Sequence, residues 1–189
     1  MALTTSTMLP LGTPAPAFNL PATDGSIVSL NSLKNAELLV VAFICNHCPF
    51  VKHIRLQLAE VGRTYQAKGV DFIAINSNDV VAFPADNMSA MRAEVEQIGY
   101  VFPYVLDEDQ AIAKAYDAAC TPDFYVFDAQ RKLIYRGQFD GSRPSNDIPV
   151  TGQDLCAALD AALQGKQITE AQKPSIGCNI KWKPSNEPN

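Results

Sequence analysis

Two cysteines separated by two residues, Cys45 and Cys48, are the clearest indication of chemistry in this chain. Their spacing lets the two sulfurs meet across one turn, so a disulfide can form and open without large backbone movement. The pair follows an apolar run at 38–44 and precedes an amphipathic stretch at 51–65. It therefore lies at a predicted strand-to-helix junction. The unpaired N–H groups and positive dipole end of a helix N-terminus favour a thiolate, which is the reactive form of cysteine.

The elements that must position this pair are predicted from hydrophobic periodicity. A nearly unbroken apolar run at 37–44 indicates a buried strand, and apolar residues at alternating three- and four-residue steps indicate the helix at 51–65. Further strands are predicted at 70–76, 102–106, 123–128 and 132–139, and further helices at 86–98, 110–116 and 151–164. Asp86 is the predicted N-cap of the second helix. The last two strands are joined by a short turn and should pair antiparallel.

The remaining segments lie on either side of this core. Asp24-Gly25 between two apolar segments predicts an early β-hairpin. Residues 1–17 form a predicted extended arm, and residues 166–189 a predicted tail that contains Cys178. Together the elements predict a single α/β domain over 1–189, with a mixed central sheet flanked by helices, an N-terminal β-hairpin and a C-terminal tail.

Composition limits the classes of function. At 189 residues the chain is long enough for one sizeable core, and its formal net charge of -5 gives no support for binding nucleic acid. No apolar run approaches the ~20 residues needed to span a bilayer, and residues 1–12 lack the features of a signal peptide. The five cysteines are an odd count, unlike a secreted disulfide scaffold. We therefore expect a cytoplasmic protein with neither membrane nor nucleic acid as a partner.

Several short motifs in this order are similar to those of a known superfamily. They are Phe18-Asn19-Leu20, Asp24-Gly25, Cys45-Asn46-His47-Cys48-Pro49, Thr121-Pro122 and Gly177-Cys178-Asn179-Ile180-Lys181-Trp182. The chain resembles the thioredoxin-like superfamily, in its peroxiredoxin-like (AhpC/TSA-type redoxin) subfamily with a CxxC motif. The resemblance implies a thioredoxin-like fold and a thiol–disulfide oxidoreductase with a redox-active centre and an antioxidant role.

The resemblance also implies roles for individual residues. Cys45 is the attacking thiolate and the more exposed cysteine, and Cys48 resolves the mixed disulfide. Pro122 is a cis-proline that lies against the CxxC, and Thr121 offers backbone groups to an extended substrate or is an ordinary loop residue. His47 either favours the thiolate and carries protons or is a plain surface residue.

Two further cysteines have two interpretations each. Cys120 precedes the predicted cis-proline by two residues, so it could be a third redox thiol or a small buried hydrophobic residue. Cys178 could be a mobile resolving thiol in the tail, or it could form a disulfide with Cys120. Both are therefore additional redox candidates.

The sequence departs from the patterns of both parent families. Thioredoxins have Trp before the first cysteine and a buried acid six residues before it, where this chain has Ile44 and Leu39. If Cys48 were a peroxidatic cysteine, the Thr and Pro of the peroxiredoxin signature would be Cys45 and Val41. The active-site arginine of that family has no counterpart near Thr121-Pro122. These departures favour dithiol–disulfide exchange over peroxide reduction.

Two alternative functions remain open at this point. In a thiol peroxidase, Cys48 would become a sulfenic acid that Cys45, Cys120 or Cys178 resolves. In a metal- or thiol-binding module without turnover, the ligands would be the closely spaced Cys45, His47, Cys48 and His53. No second Cys-x-x-Cys accompanies them, and His47 and Cys48 should point in different directions. We therefore predict no metal site.

The expected partners follow from the exchange chemistry. We predict no cofactor, a protein or small-molecule disulfide as substrate, and a cellular thiol as reductant. A hydroperoxide would be the substrate in the peroxidase alternative. A homodimer is expected from similar proteins, although no segment of the sequence indicates the interface.

Overall fold

The structure is a computed structural model, and it describes residues 3–33, 36–168, 171–184 and 186–187. Its strands are β1 (Leu3–Thr5), β2 (Asn19–Pro21), β3 (Ile27–Ser29), β4 (Leu38–Phe43), β5 (Val70–Asn76), β6 (Tyr104–Leu106), β7 (Cys120–Thr121), β8 (Asp123–Phe127), β9 (Leu133–Gly137) and β10 (Ile176–Asn179). Its α-helices are α1 (Pro49–Gln66), α2 (Met88–Ile98), α3 (Ala111–Ala115) and α4 (Gln153–Leu163). Short 3-10 helices occupy Leu30–Leu33 and Pro84–Asp86. Among the described residues, no helix combines the length and apolar character needed to cross a membrane.

A five-stranded mixed sheet forms the centre of the fold, in the order β6-β5-β4-β8-β9. β4 pairs parallel with β5 and antiparallel with β8, so it has a partner along each edge. Every residue of β4 is buried. A strand covered on both faces must be apolar throughout, which explains the nearly unbroken apolar run that predicted it. The predicted mixed sheet flanked by helices is confirmed.

The two faces of β4 contribute to two separate apolar cores. Val40 and Ala42 pack in the cluster that contains the buried face of α1. Leu39 lies in the cluster on the opposite face. Successive side chains of a strand point to opposite faces, so each core receives alternate residues. Leu39, at the position where thioredoxins have a buried acid, is therefore ordinary core packing in this chain.

The predicted early hairpin is present as β2 and β3, which pair antiparallel. Its turn contains Asp24, whose carboxylate accepts hydrogen bonds from the backbone N–H and the hydroxyl of Ser26. Gly25 has a φ of 88°, a conformation that glycine adopts at little cost. The turn chemistry visible in the sequence therefore produces the hairpin.

The C-terminal segment does not form a loose tail, which corrects the expectation of a mobile end around Cys178. β10 is the middle strand of a second sheet, between β1 and β7, and it pairs antiparallel with both. Its partners come from the opposite end of the chain and from the segment before Pro122. Pairing over such distances leaves no local hydrophobic pattern, so the sequence alone did not reveal this strand.

Candidate active site

Cys45 and Cys48 lie between the end of β4 and the first turn of α1. Cys48 is the residue immediately before the helix, and Pro49 occupies the first turn, where its missing N–H is no loss. Cys45 is 1% exposed and Cys48 is 0% exposed. Both sulfurs are therefore covered, and these exposed fractions do not single out Cys45 as the accessible cysteine.

Thr121 and Pro122 cover this pair from the opposite side. The peptide bond between them is cis, as the resemblance implied. The Cys45 sulfur lies 3.5 Å from the Thr121 hydroxyl oxygen, and the Cys48 sulfur lies 3.3 Å from the Thr121 carbonyl oxygen. Thr121 is therefore not an ordinary loop residue, since it contacts both thiols. Its backbone lies opposite Cys178 of β10 in the strand pairing.

The structure places the two remaining redox candidates differently. The Cys178 sulfur is 3.0 Å from the Cys48 sulfur. Cys120 is a buried thiol whose sulfur contacts the Pro122 carbonyl oxygen at 3.9 Å. Burial raises the pKa of Cys120 well above its ordinary value. The structure does not contain a Cys120–Cys178 disulfide, and the Cys178 sulfur lies against Cys48 of the CxxC instead.

The reduced pair carries one thiolate, located mainly on Cys48. A hydrogen bond from the Cys45 thiol is the largest cause that lowers the pKa of Cys48 to about 5, with smaller contributions from Cys178, Thr121 and the Val51 N–H. Burial of Cys48 opposes this lowering, and the Thr121 carbonyl contact also favours a protonated sulfur. The same hydrogen bond, together with burial and the charge of Asp86, raises the pKa of Cys45. The two sulfurs therefore share one proton.

Asp86 holds the turn between the two cysteines, a role that the sequence did not reveal. Its carboxylate accepts hydrogen bonds from the backbone N–H groups of Asn46 and His47, from His47 Nδ1 at 2.5 Å and from Asn78 Nδ2. The predicted role of Asp86 as N-cap of α2 is wrong, because the cap is Asn87, which accepts from the Ala90 N–H. No local signal distinguishes the two neighbouring residues.

His47 is fixed on both sides of its ring. Nδ1 bonds to Asp86, and the ring stacks on Phe83 at a centroid separation of 5.3 Å. The interpretation of His47 as a plain surface residue is therefore wrong, since the ring is an ordered part of the site. A part for His47 in the thiolate chemistry stays a prediction.

Cys45, His47 and Asp86 place ligand atoms within 4.8 Å of one another. Both oxygens of Asp86 already accept hydrogen bonds, including one from the His47 ring. A cation at this position would have to replace those bonds, and it would receive only three protein ligands from this group. The donor set therefore suits a hydrogen-bonded turn better than a resident metal ion, and the absence of a metal stays a prediction.

Asp123 is a second buried acid that the sequence did not single out. It follows Pro122 directly, at the start of β8, and accepts a hydrogen bond from the Tyr125 hydroxyl at 2.9 Å. Burial raises the pKa of Asp123 to about 7, against the opposing effect of its hydrogen bonds. An acid of this kind can exchange a proton near neutral pH.

The raised pKa of Asp123 predicts a specific pH dependence of stability. Between pH 4 and pH 7 the folded protein keeps a proton on this residue that the unfolded chain has lost, so stability falls as the pH rises. Asp123→Asn removes the titration, and its stability relative to the parent chain should improve by up to about 4 kcal/mol across this range. Urea unfolding of both proteins at pH 4.5 and pH 7.5 measures the change. An identical difference at both pH values would contradict the assignment.

Comparison with known proteins identifies a matching family model and solved structures of similar fold. The family model described as Redoxin matches residues 10–155. The crystal structure of an uncharacterized conserved protein from Geobacillus kaustophilus is 55% identical, with a TM-score of 0.95, over 97% of this chain and 98% of that one. The thioredoxin domain of a Bacteroides vulgatus thiol-disulfide oxidoreductase shares the fold, with a TM-score of 0.59 and 19% identity over 69% of this chain and 89% of that chain.

One curated relative carries a functional description. The thiol-disulfide oxidoreductase ResA of Bacillus subtilis (strain 168) is 25% identical over 123 residues, which are 65% of this chain. The aligned segment spans 64% of that relative's length, so the similarity is to a part of it. The thioredoxin-like architecture is common to this chain and the Bacteroides vulgatus domain.

Proposed function

Because the chain belongs to the Redoxin family, we propose that it is a thiol–disulfide oxidoreductase with Cys45 and Cys48 as its dithiol–disulfide couple. The best support is the position of the two sulfurs at the start of α1, against the hydroxyl and carbonyl oxygens of Thr121 before the cis-proline, with pKa values that shift in opposite directions. A thiolate is available near neutral pH, and transfer of the proton from Cys45 to Cys48 moves the negative charge to the other sulfur. The similarity to ResA supports the same class of reaction.

Cys45 is the sulfur that attacks the substrate. Cys48 is covered by the Thr121 carbonyl and by the Cys178 sulfur, whereas Cys45 adjoins Asn46 and His47, which are partly exposed. A substrate disulfide therefore reaches Cys45 first, after a small opening of the turn. As the proton moves to Cys48, the Cys45 thiolate attacks one substrate sulfur, and the other leaves as a thiolate that takes up a proton.

The second step closes the couple. Cys48 loses its proton and attacks the Cys45 sulfur, which breaks the mixed disulfide and releases the second substrate thiolate. Two electrons pass from the dithiol to the substrate, and a Cys45–Cys48 disulfide remains. A cellular thiol then returns the couple to its reduced form. The substrate is a protein or small-molecule disulfide, the expected location is the cytoplasm, and a homodimer stays a prediction.

Trapping of the mixed disulfide tests the couple. Reduced Cys48→Ala protein, mixed with a disulfide-bonded peptide, is expected to accumulate a peptide adduct on Cys45. Position 48 then has no thiol that could resolve the mixed disulfide. Cys45→Ala should give no adduct at position 48 on the same timescale, since the Thr121 carbonyl and the Cys178 sulfur lie against the Cys48 sulfur. Mass spectrometry of alkylated digests locates the adduct. Cys156→Ala, which changes a half-buried cysteine on α4, is the control and should behave like the parent chain.

Peroxide reduction is a second candidate, because the pKa of Cys48 is lowered to about 5 and peroxides react with thiolates. Burial of the Cys48 sulfur opposes it, and in the described part of the chain none of the hydrogen bonds to the Cys45 and Cys48 sulfurs comes from an arginine. We therefore expect the protein to consume hydrogen peroxide no faster than a free thiolate does. Rapid formation of sulfenic acid on Cys48, in stopped-flow fluorescence followed by trapping, would favour the peroxidase instead.

A further inference from the structure

We propose that Cys178 is a third redox thiol. Once Cys45 and Cys48 have been oxidised, Cys178 displaces Cys45 from their disulfide and forms a new disulfide with Cys48. This step rests on the proposed Cys45–Cys48 couple. The Cys178 sulfur lies 3.0 Å from the Cys48 sulfur, within the distance over which sulfurs contact each other directly. Oxidation of the couple would therefore present Cys178 with a disulfide beside it.

The position of Cys178 is fixed by contacts on both sides of it. In β10, Cys178 lies opposite Thr121 of β7 and opposite Leu3 of β1. After the strand, the Ile180 N–H donates to the Ala119 carbonyl at 3.0 Å, and the Lys181 N–H donates to Asn78 Oδ1 at 2.8 Å. The sulfur is therefore held against Cys48 by the fold, and its approach does not depend on a search by a flexible tail.

Gly177 makes this close approach possible. A Cβ atom at this position would lie 2.0 Å from the Thr121 carbonyl oxygen and 2.7 Å from its carbonyl carbon. Only a residue without a side chain lets the β10 backbone come this near to the segment before the cis-proline. The next residue along the strand is Cys178, so the same approach brings its sulfur to Cys48.

The electrostatics of Cys178 change when the couple is oxidised. In the reduced protein, burial together with the hydrogen bond and charge of Cys48 raises the pKa of Cys178 to about 12. A Cys48 sulfur in a disulfide carries no charge, so the two causes that come from Cys48 are then removed. The positive charge of Lys181 remains and lowers the pKa of Cys178. Oxidation of the couple therefore makes the Cys178 thiolate easier to form.

The transfer is a balanced exchange within one molecule. The Cys178 thiolate attacks the Cys48 sulfur, a Cys48–Cys178 bond forms, and the Cys45–Cys48 bond breaks. Cys45 leaves as a thiolate and takes up the proton that Cys178 released. No electrons enter or leave the protein. The result is a reduced Cys45 at the partly exposed turn and a disulfide that links Cys178 of β10 to Cys48.

Disulfide mapping of the intact chain tests this transfer. The reduced protein is oxidised with diamide, unfolded in acid, alkylated and digested, and its cross-links are assigned by tandem mass spectrometry. We expect Cys48–Cys178 beside Cys45–Cys48, so that alkylation of Cys178 falls about twofold or more, as for two disulfides of similar reduction potential. Cys178→Ser should contain only Cys45–Cys48. Cys120→Ser, which changes another buried thiol beside the cis-proline, should keep the parent pattern.

The remaining outcomes separate this inference from the proposed function. A Cys45–Cys48 disulfide with Cys178 fully alkylated would overturn the transfer and leave the couple intact. Absence of Cys45–Cys48 from every variant, Cys178→Ser included, would instead contradict the couple. Cys45→Ser gives a second check on the geometry. This variant lacks the Cys45 sulfur that competes for Cys48, so diamide should join Cys48 to Cys178 in most molecules. Failure to form this disulfide in the folded variant would also overturn the inference.

Discussion

Replacement of Asp86 by alanine is expected to lower the free energy of unfolding by about 3–5 kcal/mol. The carboxylate is fully buried and accepts hydrogen bonds from Asn46, His47 and Asn78. Removal leaves these partly buried donors without their acceptor, and the Asn78 amide loses it in a buried position. Because two of the donors are backbone N–H groups of the turn between the cysteines, the turn itself should loosen. Urea unfolding of the variant and the parent chain measures the change.

The Asp86 variants should also change the cysteines. The negative charge of Asp86 is one cause of the raised pKa of Cys45. Asp86→Asn removes the charge but keeps an acceptor oxygen, so the pKa of Cys45 should fall while the protein remains folded. Thiolate absorbance at 240 nm as a function of pH reports this shift. Asp79→Asn is the matched control, because Asp79 is a buried acid of the same loop that caps Val81 and Ala82 and does not contact the turn.

A combined outcome would contradict this role for Asp86. If Asp86→Ala were no less stable than Asp79→Asn, and its thiol titration matched that of the parent chain, the carboxylate would not hold the turn. Loss of stability without any change in the titration would restrict Asp86 to a structural role.

The parts of the fold that depend on neighbouring residues were predictable from the sequence. The apolar run placed β4 within one residue at each end, and the Asp24-Gly25 turn gave the early hairpin. The stripe of apolar residues after the CxxC gave α1. In each case hydrophobic periodicity or turn chemistry acts over a few residues, so the pattern and the structure have the same physical cause. The cis peptide bond before Pro122 came from the resemblance instead.

The parts of the site that depend on distant contacts were not predictable from local patterns. Asp86 reaches the turn at Asn46 across 40 positions of sequence, and Cys178 reaches Cys48 across 130. Asp123 becomes buried because β8 pairs with β4. A lone acid or cysteine has the same local appearance whether or not a distant partner meets it. Only the strand pairing of β1, β10 and β7 determines which sulfurs approach each other.

Replacement of Gly177 by alanine is expected to expose Cys48. The new Cβ would meet backbone atoms of Thr121, which cannot rotate away as the end of a side chain can. β10 should therefore separate from β7, which would expose the Cys48 sulfur to solvent. If the lost pairing is worth about 2–3 kcal/mol, the rate of Cys48 alkylation should rise about 30- to 150-fold. Iodoacetamide labelling at pH 7, followed by peptide mapping, measures the rate.

Gly141→Ala is the matched control for this variant. A Cβ at Gly141 would have only the end of the Ile148 side chain as a neighbour, at 3.7 Å, so the change should leave labelling of Cys48 unaltered. Circular dichroism should show the central sheet intact in both variants, because β4 pairs with β5 and β8 and not with β10. A folded Gly177→Ala protein that is labelled at the parental rate would mean that β10 does not protect Cys48. Faster labelling would mean that any substrate or reductant that acts on Cys48 must first displace this strand.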